Sequence, residues 1–211
     1  MRRTLYVSVK RVGDVLAATI GLAVLVIAGL PIAVAVRLST GSPVLFLQER
    51  LGRNEEAIRV PKFRSMTDSR GPDGQPLPDA ARLTKMGRFL RSSSLDEIPQ
   101  VISVLKGDLS VVGPRPLLVE YLPYYTADER QRHSVRPGIT GLAQVRGRNN
   151  LSWDDRLSLD VEYVRCMSLK LDLSILLATV AKVVLRRDVA IVPGLKGQRL
   201  DVERRGLAVN K

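Results

Sequence analysis

The sequence predicts a helix-rich α/β protein held on one face of a membrane by its N-terminus, and three observations predict it. The stretch Val15 to Val36, VLAATIGLAVLVIAGLPIAVAV, carries no charge and only Thr19 as a polar side chain. The rest alternates short strand-like runs with helical patterns and has no obvious interdomain linker, so the 211 residues read as one domain with appendages. Finally, 33 Lys and Arg against 21 Asp and Glu give a net charge of +12. That balance points to anionic partners: nucleic acid, phosphorylated small molecules or an anionic membrane surface.

As a helix rising ~1.5 Å per residue, the apolar stretch would be about 33 Å long, enough to cross a hydrocarbon core of ~30 Å. A signal peptide cleaved after the AVA at Ala33 to Ala35 competes with this, but the run exceeds the usual apolar region of about 7 to 15 residues and Asp14 leads into it. Both flanks are basic, with Arg2, Arg3, Lys10 and Arg11 before it and Arg37, Arg50 and Arg53 after it, so neither end is marked as outside. Pro31 removes a helical hydrogen bond and favours a bend, with Gly29 nearby. A re-entrant hairpin with both ends cytoplasmic is therefore expected. A kinked helix that crosses the bilayer is the alternative.

Beyond it, SPVLFLQERLG (Ser42 to Gly52) suits a short strand, and RVPKFRSM (Arg59 to Met66) alternates apolar and basic residues. DSRGPDGQPLPD (Asp68 to Asp79) is dense in turn formers and reads as a mobile loop. Helical patterns follow at Leu83 to Leu90 and at Leu95 to Leu105, the second closed by Gly107. RPGITGLAQVRGRNN (Arg136 to Asn150) places Gly138, Gly141 and Gly147 among basic residues, a composition that lets backbone N–H groups approach phosphate. An amphipathic element starts at Trp153. The run Leu171 to Asp188, with Lys182, Arg186 and Arg187, suits an anionic interface or, equally, a core helix with a basic last turn. The tail from Pro193 is polar and expected to be loosely held.

Composition narrows the chemistry. One cysteine, Cys166, excludes an internal disulfide, and one histidine, His133, excludes multi-histidine metal sites. Cys166 reads as a packed small side chain and His133 as a surface or hydrogen-bonding one. With only 4% aromatic residues, the stacking platforms of nucleic-acid binders are scarce, so no nucleic-acid partner is expected. Carboxylates and cations must carry the work.

RSSSLDEIPQ (Arg91 to Gln100) sets two carboxylates side by side in this basic chain. Ser94 and Glu97 fit a capping box, a sufficient structural reason for Glu97. Asp96 would then sit at the positive end of a helix, where an ionised carboxylate and an approaching phosphate are both stabilised. An ionised Asp is a nucleophile that needs no general base, and attack on phosphorus would give an acyl phosphate. Arg88, Arg91, Arg115, Arg146, Arg148 and a divalent cation are the available means of reducing repulsion between the anions. These residues suit a capped helix start and a catalytic pair equally.

The ordered motifs KRVGD (Lys10 to Asp14), FLQERLG, PKFRSM, SLDEIPQ, LKGDLSVVGPRP, RPGITGLAQVRGRN and SLDVEYV cover nearly everything from Lys10 to about Asp188. Through them the chain resembles the bacterial sugar transferases known as monotopic phosphoglycosyl transferases. The resemblance implies that Asp96 is a covalent nucleophile, Glu97 its partner, and Mg2+ a cofactor held by the two. It also implies transfer of a phosphosugar from a UDP-sugar to undecaprenyl phosphate with release of UMP, at the cytoplasmic face of the bacterial inner membrane, as the first step of surface glycan assembly. GPRPLLVEYLP looks like the subset that uses acetylated amino sugars. Arg88, Arg91, Arg115, Arg146 and Arg148 are expected at substrate phosphates. Lys62 and Arg64 either join them or support the fold, and Gln144 either meets substrate or orients a loop. Lys10, Arg11, Asp14 and Pro31 belong to the membrane anchor. The expected division is 1–40 as re-entrant anchor, 41–192 as catalytic domain with amphipathic interfacial helices, and 193–211 as tail. The family's Ser-Pro pair falls near Val26 and Ile27, whereas here Leu30 precedes Pro31. A non-catalytic basic membrane-surface module is the competing function, and a hydrolase releasing sugar phosphate to water is a third.

Overall fold

A computed structural model describes residues 2–147, 151–184 and 199–205. The apolar stretch becomes the core of one long helix, α1 (Arg2–Thr40), with Pro31 inside it. Its contacts fall on one stripe that recurs every three or four residues, as an amphipathic docking face requires. Tyr6 and Lys10 meet Asp172, Arg11 donates to the carbonyls of Val104 and Leu105, and Asp14 accepts from Ser110 and Val111. Further along, Ala18 packs with Val60, Val104 and Leu109, while Ile32 and Val36 pack with Phe63 and Leu90. Both ends of α1 thus rest on the same folded body.

The opposite side of α1 exposes Leu16, Ile20, Val26, Ile27, Leu30 and Leu38. Each aliphatic side chain of that size forgoes roughly 1.5–3 kcal/mol when left in water, so this face is compatible with membrane attachment. The bend expected at Pro31 does not divide α1 into two elements.

β1 (Leu45–Leu51) and β2 (Ala57–Phe63) form an antiparallel two-stranded sheet with Leu45 opposite Phe63 and Leu51 opposite Ala57. Pro61 is tolerated in β2 because a two-stranded sheet has only edge strands. The 68–79 segment, expected as a mobile loop, carries ordered local bonds: Gly71 donates to Gln75, Leu77 donates to Ser69, and Arg70 bridges Pro76. The short α2 (Asp79–Arg82) leads into α3 (Lys85–Ser93). A Cβ on Gly87 would lie 1.9 Å from the Ser65 carbonyl, so glycine lets α3 pack directly on the chain leaving β2.

A 3₁₀ turn (Leu95–Gln100) runs into α4 (Val101–Lys106), which ends at Gly107 with φ +97. β3 (Ser110–Val112) pairs in parallel with β4 (Gly138–Thr140), and two 3₁₀ segments, Val119–Tyr124 and Glu129–Ser134, lie between them in sequence. Then come α5 (Leu142–Arg146), α6 (Trp153–Cys166), α7 (Leu169–Val184) and α8 (Leu200–Glu203). Arg186 and Arg187 of the expected interfacial helix lie outside the described residues. The described part of the tail is firmly docked: Leu200 is buried against Leu51, Leu117, Tyr121, Tyr125 and Leu157, and Arg204 bonds both oxygens of Glu129 at 2.8 Å. Of two smaller expectations, one is met in its second form and one changes. His133 is buried and hydrogen-bonded to the Gly52 backbone, and burial together with Arg132 pushes its pKa down to about 3, so it is neutral. Cys166 is exposed at the end of α6.

Candidate active site

The carboxylate pair is placed by a turn the sequence did not announce. Ser94 takes the left-handed conformation (φ 58, ψ 16), so its side chain caps nothing and its N–H closes the end of α3 onto Arg91 and Leu90. The capping box is therefore absent. A left-handed serine costs roughly 1–2 kcal/mol, and it redirects the chain so that Asp96 and Glu97 follow α3 at once, facing β2.

Glu97 is held by two cations from distant parts of the chain. Lys62 Nζ, on β2, lies 2.7 Å from Oε1, and Arg115 Nη2, on the segment after β3, lies 2.6 Å from the same oxygen. Burial opposes ionisation of Glu97, but Arg115 and Lys62 outweigh it and hold the carboxyl well below the usual range. Glu97 in turn raises the pKa of Arg115, whereas burial lowers that of Lys62.

Asp96 differs although it is the next residue. It is 9% exposed, and no hydrogen bond from a described residue reaches its carboxylate. Burial and then the charge of Glu97 push its pKa up to about 6, against the opposing pull of Lys62, Arg91 and Arg115. One carboxylate is quenched and the other is left unpaired, which is how environment divides roles between two like groups. Arg91 approaches Asp96 from α3, fixed by its Nε donating to Ser65 Oγ at 3.0 Å.

Of the expected phosphate-binding residues, Lys62, Arg91 and Arg115 converge on the pair. Arg64 does not: it is buried, donates to Met66 and Ser42 carbonyls and pairs with Asp68, so its donors are consumed by the fold. Arg88 lies exposed on α3, one turn before Arg91, and Arg146 is exposed on α5. Neither has a bond to the dyad. Gln144 donates to the Ile139 carbonyl at 2.9 Å, tying α5 to β4. Arg148 lies outside the described residues. Lys10, Arg11 and Asp14 fasten α1 to the folded body.

The sequence reading missed several participants. Arg50, at the end of β1, sits close enough to Arg115 and Glu97 to feel both, and burial, then Arg115, lowers its pKa to about 10. Arg156 on α6 stacks over Trp153 at 4.5 Å and also senses Arg115. Arg132, almost fully buried with Asp160 at 2.7 Å, donates from Nη2 to the Arg115 carbonyl at 2.6 Å and so positions that residue. Their separations in sequence from Glu97 follow no local period, so only long-range folding brings them together.

Fold and site together define a helix-rich α/β protein with a membrane-compatible N-terminal helix and a cation-ringed carboxylate pair. The model of the bacterial sugar transferase family matches residues 5–186, and the chain belongs to that family. It is 54% identical over 154 residues to the protein named "Uncharacterized sugar transferase EpsL" of Bacillus subtilis, covering 73% of this chain and 76% of that one. It is 41% identical over 183 residues to the UDP-glucose:undecaprenyl-phosphate glucose-1-phosphate transferase of Klebsiella pneumoniae, covering 82% of this chain and 39% of the relative. With the undecaprenyl-phosphate galactose phosphotransferase of Salmonella typhimurium the identity is 40% over 165 residues, 70% of this chain and 34% of the relative. The chain thus spans well under half the length of those two relatives.

Proposed function

We propose that this protein transfers a phosphosugar from a UDP-sugar to undecaprenyl phosphate, with Asp96 as the covalent nucleophile. The observation that carries the reading is the division within the pair: Glu97 is neutralised by Lys62 and Arg115, while Asp96 beside it accepts no hydrogen bond from a described residue. A pKa of about 6 leaves Asp96 mainly ionised at neutral pH yet poorly solvated, which suits attack. The names of relatives such as the Klebsiella and Salmonella enzymes supply the reactant classes.

In the first step an Asp96 oxygen bonds to the sugar-bearing phosphorus, and the bond to the bridging oxygen breaks as UMP leaves with the electron pair. In the second, a phosphate oxygen of undecaprenyl phosphate attacks the same phosphorus and releases the Asp96 carboxylate. Arg115, held by Arg132, and Arg91, held by Ser65, offer fixed positive charge to the phosphate oxygens as charge develops. Arg50 and Arg156 add further positive charge close enough to Arg115 to be felt there.

Among the described residues no group of three or more carboxylate, histidine or cysteine side chains could cage a metal. Mg2+ fits nonetheless, because it commonly binds through one or two carboxylates together with substrate phosphates. Asp96 and Glu97 would hold it, and bound Mg2+ would supply neutralisation of the donor's phosphate oxygens.

The reaction is assigned to the cytoplasmic face of the bacterial inner membrane, with α1 re-entrant. Contact of both ends of α1 with one folded body, and its exposed apolar face, support this. Residues 113–123 are the ground for including UDP-linked acetylated amino sugars in a donor panel beside UDP-glucose and UDP-galactose. The test is UMP release by the purified protein with and without undecaprenyl phosphate. Release with donor alone, up to one equivalent per site, and turnover with both is expected. Continuous release without acceptor would make the protein a hydrolase, and no release under either condition would leave a binding module.

A further inference from the structure

A second basic pocket lies away from the carboxylate pair. Its cavity of about 220 Å³ is framed by the N-terminal part of α1, β3, the loop into β4 and the α6–α7 junction. Four cations line it, Lys10, Arg11, Arg53 and Arg136, against one carboxylate, Asp14. Asp14 is already bonded to Ser110 Oγ and the Val111 N–H, and Lys10 is paired with Asp172. The three guanidiniums have no such partner among the described residues. Arg11 donates only to the carbonyls of Val104 and Leu105, Arg136 uses only its Nε, on the Gly107 carbonyl, and Arg53 stands exposed without an ion pair. Burial and then repulsion from Arg11 and Arg53 lower the pKa of Arg136, as expected where like charges gather without a counterion.

The remaining lining is apolar: Val7, Val112, Val135 and Met167. On the two helices that border the pocket, Val9, Val12 and Leu16 of α1 and Leu169 and Leu173 of α7 are exposed. A soluble anion would satisfy the guanidiniums and leave this apolar half unfilled. None of Asp96, Glu97, Lys62, Arg91 or Arg115 lines the pocket.

We propose that this pocket binds the phosphate of an anionic phospholipid, with Arg53, Arg136 and Arg11 around the headgroup and the first carbons of the lipid along Val7, Val112, Val135 and Met167. It is a non-catalytic lipid site that couples the seating of α1 to the charge of the surrounding bilayer. Arg11 and Lys10 belong at once to the pocket and to the contacts that dock α1, so an occupied pocket neutralises charge where the helix joins the body.

The test uses the full chain in neutral detergent, titrated with short-chain phosphatidylglycerol, short-chain phosphatidylcholine or inorganic phosphate, with thermal unfolding as readout. Phosphatidylglycerol should give a saturable rise in Tm; phosphatidylcholine should give none, and inorganic phosphate should need at least tenfold higher concentration. Arg53→Glu should weaken the phosphatidylglycerol response at least tenfold, Arg53→Lys should largely restore it, and Arg59→Glu, on the exposed face of β2, should leave it unchanged. UMP release from donor by Arg53→Glu should match the parent protein, which separates this site from the reaction centre. Equal potency of inorganic phosphate would mark a soluble-anion site and overturn the lipid assignment. Equal responses of Arg53→Glu and Arg59→Glu would overturn the pocket itself.

Discussion

Replacing Asp96 by Asn should abolish transfer and at the same time stabilise the protein near neutral pH. Burial, then Glu97, raises the Asp96 pKa from 3.8 to about 6, a shift of roughly two units at ~1.4 kcal/mol each. The folded state therefore holds the proton more tightly than the unfolded chain, and stability from this group falls as pH rises between those values. The penalty is absent below about pH 4 and complete above about pH 6, where it amounts to roughly 3 kcal/mol. At roughly 2–4 °C per kcal/mol for a chain of this size, that corresponds to about 6–12 °C in Tm, reduced by whatever the buried amide costs. The assay is thermal unfolding of both proteins in detergent from pH 4 to 8. The advantage of Asn should be near zero at pH 4 and grow to a plateau above pH 6.5. kcat/KM of the parent protein should also fall in acid as Asp96 takes up its proton, with the break moving to higher pH as Mg2+ is lowered. A Tm difference independent of pH, or an Asn variant less stable at pH 8 than at pH 4 relative to the parent, would refute the electrostatic reasoning.

Three further outcomes follow from the same geometry. Glu97→Gln should retain the fold but lower turnover by roughly a hundredfold, because Lys62 and Arg115 lose the charge that fixes them; steady-state kinetics with an unchanged circular dichroism spectrum checks it. Asp172→Asn should lower Tm by about 6–12 °C, since Tyr6, Lys10 and Tyr163 all donate to this one carboxylate and a broken buried pair costs about 3 kcal/mol. For topology, with Cys166 changed to Ser, single cysteines at Arg3 and Thr40 should both resist an impermeant thiol reagent in intact cells, and strong labelling at Arg3 alone would show that α1 crosses the bilayer.

Local signals were legible in the sequence and distant ones were not. The apolar run read out as α1, the strand expected before Gly52 and the amphipathic element expected from Trp153 became β1 and α6, and the Asp96–Glu97 pair was evident from its setting in a basic chain. The Ser94–Glu97 spacing misled because Lys62 and Arg115 offer Glu97 charge-assisted bonds, stronger than the backbone N–H a capping box would give it. Arg64 and Arg115 look alike as residues beside Pro- or Phe-containing motifs. One is buried among carbonyls and the other is 40% exposed at the dyad, a difference set by tertiary packing alone. The same holds for Arg132, which donates to the Arg115 carbonyl, and for Asp160, which accepts from Arg132 and fixes it there.

The most direct measurement is mass spectrometry of protein mixed with a UDP-sugar and Mg2+, quenched in acid before any undecaprenyl phosphate is added. One added sugar phosphate is expected on the peptide containing Leu95 to Gln100, with one UMP released per modified chain and neither present in Asp96→Asn. Full transfer activity by Asp96→Asn, or UMP that appears only once undecaprenyl phosphate is supplied, would contradict a covalent Asp96 and point to direct transfer between the two bound substrates.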